Sequence, residues 1–300
     1  MLQELIVGHP KAPPTNFNSK PWNEALLVTP QHAVRKLWNE AAVWKWCQQT
    51  GEWLFICQAE DTTHGWPLTL HECYALVGRQ KTSGRRKWKD LLDVVEMAKG
   101  MKVMVTTNVE TDLDVTNGTC GEIIDIILHP DEPPVGDGPV VKLKYLPAYI
   151  LVKLTRTQAT QLDGLEGSVI PVELMTSTVK LQMKLELSGK ILTQTIWQCQ
   201  YPMTAAYGFT DYRVQGQTLA CVVVDIATPP SGGLNLFNLY VALSWSSGQS
   251  TIRLLHDFDP NVFKQEHGIA LLLEDERVEQ LNQETKGWWQ KMGRDTRQSS

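Results

Sequence analysis

Apolar residues first recur regularly at Val34, Leu37, Trp38, Ala41 and Trp44. Their three- and four-residue steps predict an amphipathic helix running to about Gln49. Thr29 is placed to cap its start, Pro30 suits its first position, and Gly51 closes it. The runs Ala25–Val28 before it and Trp53–Cys57 after it read as strands. Strand, long helix and strand make an α/β unit in which a parallel sheet is expected. Residues 78–89, GRQKTSGRRKWK, read as a basic loop with six Lys or Arg and one Trp. DLLDVVEMA then reads as a short helix ended by Gly100.

The pattern changes at residue 101. KVMVTTN, an Asn117-Gly118 turn, GEIIDIIL, VVKLKYL and YILVKL are short strands broken by Gly, Pro and Asp. SVIPVEL, STVKLQMKLEL and KILTQTIWQCQ continue the series, with Ser188–Lys190 as a hairpin turn. Such a series predicts a small twisted barrel. After residue 200, PMTAAYGFT and IRLL read as strands and FNLYVALSW as a helix. CVVVDI is apolar enough for a strand buried on both faces. ALLLEDERVEQLNQETKGWWQKM reads as an amphipathic helix ending near Gly293, and core packing is its expected role. The first twenty residues are aperiodic and read as an arm.

Composition narrows the function classes. Of 300 residues, 42% are apolar and 20% charged, which excludes wholesale disorder. No apolar run approaches membrane-span length, and the N-terminus lacks the charge-then-apolar order of a secretory signal. An intracellular protein with no membrane partner is the expectation. The net charge of -5 excludes a strongly basic nucleic-acid binder at whole-chain level. Residues 1–100 nevertheless carry 12 Lys and Arg against 10 Asp and Glu, so a polyanion surface would draw on this third. The six cysteines show no zinc spacing and read as buried reduced thiols.

Chemistry concentrates after residue 208. In TDYRVQGQTL, Gly216 follows a strand and precedes a helix start, where backbone N–H groups can face an anion. Gln215 and Thr218 can hydrogen-bond there, and Arg213 adds a permanent charge.

In this order, ALLVTPQHAV, FTDYRVQGQTL and YVALSW resemble motifs four, five and six of a superfamily-one DNA helicase. The resemblance is to the C-terminal half of the Pif-one/RecD group, in the versions carried by rolling-circle, Helitron-type transposons. Residues 100–123, with the Asn117–Gly121 turn, resemble that family's entry into its SH3-like domain. The resemblance implies an α/β fold: a RecA-like, P-loop-NTPase-type second helicase domain interrupted by an SH3-like β-barrel insertion. The RecA-like parts would span 21–100 and 201–258, and the insertion 101–200. Residues 1–20 would be an arm, and 259–300 a C-terminal helix and tail.

The family is a motor that uses ATP and Mg to step along single-stranded DNA. By resemblance, Arg213, Gln215, Thr218 and Thr29 would contact DNA, and Gly216 and Gln217 would face the nucleotide. Arg85, Arg86 and Lys87 of the basic loop are further DNA candidates, with Trp88 available for stacking.

Three departures stand out. No G-x-x-x-x-G-K-[ST] occurs, and the one Gly-Lys pair, Gly189-Lys190, lies in strand-like sequence. Trp245 occupies the arginine-finger position of motif six, and an indole cannot neutralise phosphate charge. Val214 stands where the family usually has Ser. The resemblance therefore implies a truncated, degenerate copy that hydrolyses no ATP alone and is nuclear if functional. A first RecA-like domain supplied in trans, a protein-interaction module and the product of a decayed gene remain alternatives.

Overall fold

The computed structural model describes residues 2–82, 91–108, 115–136, 138–155, 161–184, 191–210, 219–228, 234, 236–266 and 268–293, with backbone alone at 77–82 and 184. In chain order, β1 (Leu26–Val28) leads into α1 (His32–Thr50), followed by β2 (Leu54–Gln58), β3 (Glu60–Thr63), β4 (Trp66–Pro67) and α2 (Leu70–Thr82). Next come β5 (Val94–Met97), β6 (Lys102–Val105), β7 (Cys120–Ile127), β8 (Val140–Lys142), β9 (Tyr149–Leu154) and β10 (Val169–Val172). The chain continues through β11 (Met175–Lys184), β12 (Ile191–Gln200), β13 (Met203–Ala205), β14 (Gly208–Phe209) and β15 (Val222–Val224). It closes with α3 (Leu236–Leu243), β16 (Ile252–Leu254) and α4 (Ile269–Lys291).

A parallel sheet, ordered β14-β1-β15-β16, organises the functional half. Its strands are two or three residues long and almost wholly apolar, because helices and loops cover both faces. All three residues of β15 are buried. The arm extends this sheet: Ile6 bridges Leu254 in parallel, and the Val7 N–H donates to the Leu254 carbonyl at 2.9 Å.

The strand at residues 54–58 does not join it, contrary to the expected β1-α1-β2 unit. It pairs antiparallel with β5 and parallel with β8 in a three-stranded sheet. Both places beside β1 are taken by strands from after residue 207.

Residues 101–200 form the expected short strands. An antiparallel sheet runs β10-β9-β7-β6-β13, and a further sheet runs β11-β12-β3-β4. Ser188–Lys190 lies outside the described residues, but β11 and β12 pair antiparallel from Met175↔Gln200 to Lys184↔Ile191. Gly121 lets β7 approach β9 closely. A Cβ there would lie 2.6 Å from both the Lys153 carbonyl oxygen and Val152 Cγ1.

Four local expectations change. DLLDVVEMA forms β5 rather than a helix. Val95 and Met97 are buried in alternation, the two-residue period of a strand, and the β-branched pair Val94-Val95 suits it. The basic stretch starts inside α2, which extends to Thr82. That helix opens with a capping box in which Glu72 accepts from the Thr69 N–H at 2.7 Å and the Thr69 hydroxyl at 2.8 Å.

Helix α1 has the expected length, and Gly51 at φ +76° donates back to the Cys47 carbonyl. Its N-cap is Gln31 rather than Thr29, and its buried face is Asn39, Val43 and Cys47. Leu37 (66% exposed) and Trp44 (41%), from the expected stripe, point to solvent. Finally, α4 is not a core-packing helix: none of its residues is buried.

Two large cores result. One joins the three- and five-stranded sheets through Leu54, Met97, Val103, Ile150 and Tyr201. The other joins the parallel sheet to α3 through Val28, Phe209, Val222, Leu239 and Trp245. A small third cluster, Val179, Leu181, Met183 and Ile196, lies beneath α2. The six cysteines are free, with Cys73 exposed. Burial pushes the Cys57 thiol up to about 12 and Cys120 up to about 11, leaving both protonated and unreactive at neutral pH.

Candidate nucleic-acid interface

In a parallel α/β sheet the carboxyl ends of the strands form one rim, where such folds place ligands. On this rim, β1 ends at Val28, β14 at Phe209 and β15 at Val224, so that Thr29, Thr210 and Asp225 are the first residues beyond the strands. Thr29 is fully buried, and its hydroxyl donates to Asp225 Oδ2 at 2.8 Å while accepting from the Gln31 N–H at 3.1 Å. Asp225, 1% exposed, also accepts from Gln31 Nε2 at 3.4 Å and from the Ala227 N–H at 3.1 Å. Its own N–H donates to the Val28 carbonyl. A buried carboxylate needs such partners, and here they lock the turn after β1 to the turn after β15.

Arg213, Gln215, Gly216, Gln217 and Thr218 lie outside the described residues, as do Arg85, Arg86, Lys87 and Trp88. The anchors of the 211–218 segment are described. On the upstream side, the Thr29 N–H donates to the Phe209 carbonyl at 3.1 Å. On the downstream side, the Leu219 N–H donates to the Trp245 carbonyl at 2.9 Å, and Leu219 bridges Ser246 in parallel. Leu27 and Phe209 therefore lie in the parallel sheet, and Leu219 and Trp245 meet in the core that this sheet shares with α3.

A third group fixes the approach to that segment. Asn39 of α1 is buried where the chain crosses from β13 to β14. Its Nδ2 donates to the Ala205 carbonyl at 3.0 Å and the Gly208 carbonyl at 3.4 Å. Its Oδ1 accepts from the N–H groups of Tyr207 at 3.1 Å and Gly208 at 2.7 Å. One carboxamide thus satisfies the crossing between two sheets. The sequence reading missed Asn39, Gln31 and Asp225. Only Asp225 had a readable signal, as a lone acid ending an apolar strand.

Trp245 and the nearby Arg253 are both built into the interior. Trp245 is 1% exposed within the parallel-sheet core, and its indole N–H is buried without a partner. Arg253 is 3% exposed, with Nε donating to Thr15 Oγ1 at 2.7 Å and Nη1 to the Ile252 and Gln249 carbonyls. Its guanidinium stacks over Trp22 at 4.5 Å, so it clamps the arm to the sheet. Burial holds its pKa below the usual arginine value.

Trp245, the residue read as standing at the finger position, is an interior indole with no charge to offer a nucleoside triphosphate, and the neighbouring Arg253 guanidinium is committed to the arm. Among the described residues, no group of three or more His, Cys, Asp or Glu is arranged to hold a metal ion. Among them, no helix is long and apolar enough to cross a membrane.

By sequence, no protein-family model and no curated protein matches the chain. By structure, it is similar to a Pif1 helicase from Candida albicans at 18% identity and a TM-score of 0.51, covering 87% of this chain and 51% of the helicase. It is also similar to a Pif1 helicase solved in a study of DNA unwinding at forked double-stranded DNA by two coordinating Pif1 helicases. That match has 16% identity and a TM-score of 0.50, and covers 94% of this chain and 47% of the other. A Bacteroides Pif1 bound to single-stranded DNA matches at 16% identity and a TM-score of 0.48, over 85% and 45% of the two chains. The chain spans about half the length of these helicases. It therefore has the mixed α/β fold of part of a Pif1 helicase.

Proposed function

We propose that the chain is a degenerate, Helitron-type second half of a Pif1-like helicase that holds single-stranded DNA and does not itself hydrolyse ATP. In this reading, residues 21–100 and 201–258 form the RecA-like part and 101–200 an SH3-like insertion. The arm spans 1–20, and the C-terminal helix and tail span 259–300. In this reading Arg213, Gln215 and Thr218 contact DNA, while Gly216 and Gln217 face the nucleotide. Arg85, Arg86 and Lys87 add charge along the strand's path. A first RecA-like domain would complete the nucleotide site, and the chain would work in the nucleus.

One observation carries the reading. The turn after β1 bonds to Phe209 and Asp225 at the parallel sheet, and Leu219 bonds to Trp245 and bridges Ser246 at the core which that sheet shares with α3. The loss of catalysis is argued from Trp245, whose burial leaves no cation at the finger position.

Fluorescence anisotropy with labelled single-stranded DNA across a salt series tests the binding. Affinity should fall steeply with salt, with a log–log slope of about −0.7 for each phosphate contacted. Replacing Arg85, Arg86 and Lys87 together with Ala should flatten that slope by about 2. Absence of binding at low salt would sink the DNA reading. ATP turnover by the chain alone, with or without DNA, would sink the claim of inactivity. The bare helix α4 favours a second reading, a protein-interaction remnant, which predicts no retention on DNA.

A further inference from the structure

Helix α4 is 23 residues long, about 35 Å, and buries no side chain. At 3.6 residues per turn, Leu271, Val278, Leu281 and Trp288 fall within about 100° of arc. These four side chains are 44–59% exposed. With Thr285 and Gly287 in its second half, such a helix draws little stability from propensity and needs a covered face.

Charge says what covers it. Residues 269–280 carry Glu274, Asp275, Glu276 and Glu279 against Arg277, whereas 281–291 carry Glu284 against Lys286 and Lys291. The helix dipole favours this order only in the first and last turns, so it does not account for Glu279 or Lys286.

We propose that a second copy of this chain covers the stripe, with the two α4 helices antiparallel. Leu271 then meets the other copy's Trp288, and Val278 meets its Leu281. On one flank, Asp275 comes within a turn of the other copy's Lys286. On the opposite flank, Arg277 comes within a turn of its Glu284. Glu274, at the centre of the stripe, faces Thr285. A parallel, in-register pair would set Glu274 against Glu274 along the seam and align the two acidic halves. The contact is isologous, so it closes at two chains. It is independent of the helicase reading.

Sedimentation equilibrium of the full chain tests this. The expected mass is twice 33.8 kDa at tens of micromolar protein, a concentration that detects a dissociation constant of about 1–10 µM. Val278→Asp should give a monomer that still melts cooperatively. Lys286→Asp should weaken association about tenfold, and adding Asp275→Lys in the same chain should restore it. A monomer at every concentration would overturn the proposal, including one in which α4 folds back on its own body. So would a dimer indifferent to Val278→Asp. If the double exchange fails to restore association, the antiparallel register is wrong.

Discussion

Helices α1 and α4 both carry apolar side chains at helical spacing, yet one is built into the protein and the other is bare. Helix α1 buries Asn39, Val43 and Cys47 and leaves Leu37 and Trp44 in solvent. Helix α4 buries nothing, although Leu271, Val278, Leu281 and Trp288 share one of its faces. The difference lies in what each helix is offered. At the β13–β14 crossing, α1 meets backbone groups that need hydrogen-bond partners, and a polar Asn is worth more there than another Leu. Helix α4 meets no such surface among the described residues. A helix buries the face that its neighbours can use, even when another face is more apolar.

Substitutions can break or sharpen this comparison. The largest effect is expected at Trp245. Trp245→Arg would remove a buried indole and leave an unpaired charge in the parallel-sheet core, costing more than about 5 kcal/mol. Soluble yield and thermal melting should both collapse. If this variant folds normally, Trp245 is not the interior anchor described above. Trp245→Phe should fold, because the indole N–H it removes has no partner.

Next is Asn39→Ala, expected to cost about 3 kcal/mol in urea unfolding, because it strands backbone groups of residues 205–208. A loss below about 1 kcal/mol would show that water replaces the carboxamide. Val43→Ala, at the centre of the packed face, should cost about 2 kcal/mol.

Glu72→Ala should cost about 1 kcal/mol through the lost cap of α2. The hydrogen bond from the Thr69 N–H, then that from its hydroxyl, hold the Glu72 carboxyl below its usual range. This contribution is present above the ordinary carboxylate pKa and disappears as pH falls through the depressed value. The difference between wild type and variant should therefore shrink on acidification, as read from paired melts. The smallest effect is expected for Val278→Ala on α4, under about 0.5 kcal/mol at a dilution where the chain is monomeric. Equal losses for Val43→Ala and Val278→Ala would erase the contrast between the two helices.

Of the residues read from the sequence as site residues, Thr29 stands among the described residues, and little of its bonding was legible. Gly51 and the apolar run CVVVDI marked real boundaries. The role of Thr29 was not readable, since its hydroxyl partner Asp225 lies 196 residues away. Trp245 could be seen to lack charge, but its burial depends on Leu219, Phe209 and Leu239 closing around it. Asn39 looked like an ordinary polar position on a helix because the groups it satisfies arrive from residues 205–208.

The sequence by itself determined features whose causes lie within a few residues. The left-handed closure of α1 at Gly51 and the Asn117-Gly118 turn, with Gly118 at φ +98°, are of this kind. So is the alternation of short strands after residue 101. Tertiary structure alone decided which sheet each strand joined, which face α1 buried and whether α4 had a partner. A strand of three or four residues has nearly the same local preference beside any neighbour. Its place is settled when a hydrogen-bonding edge and a covered face arrive from a distant part of the chain.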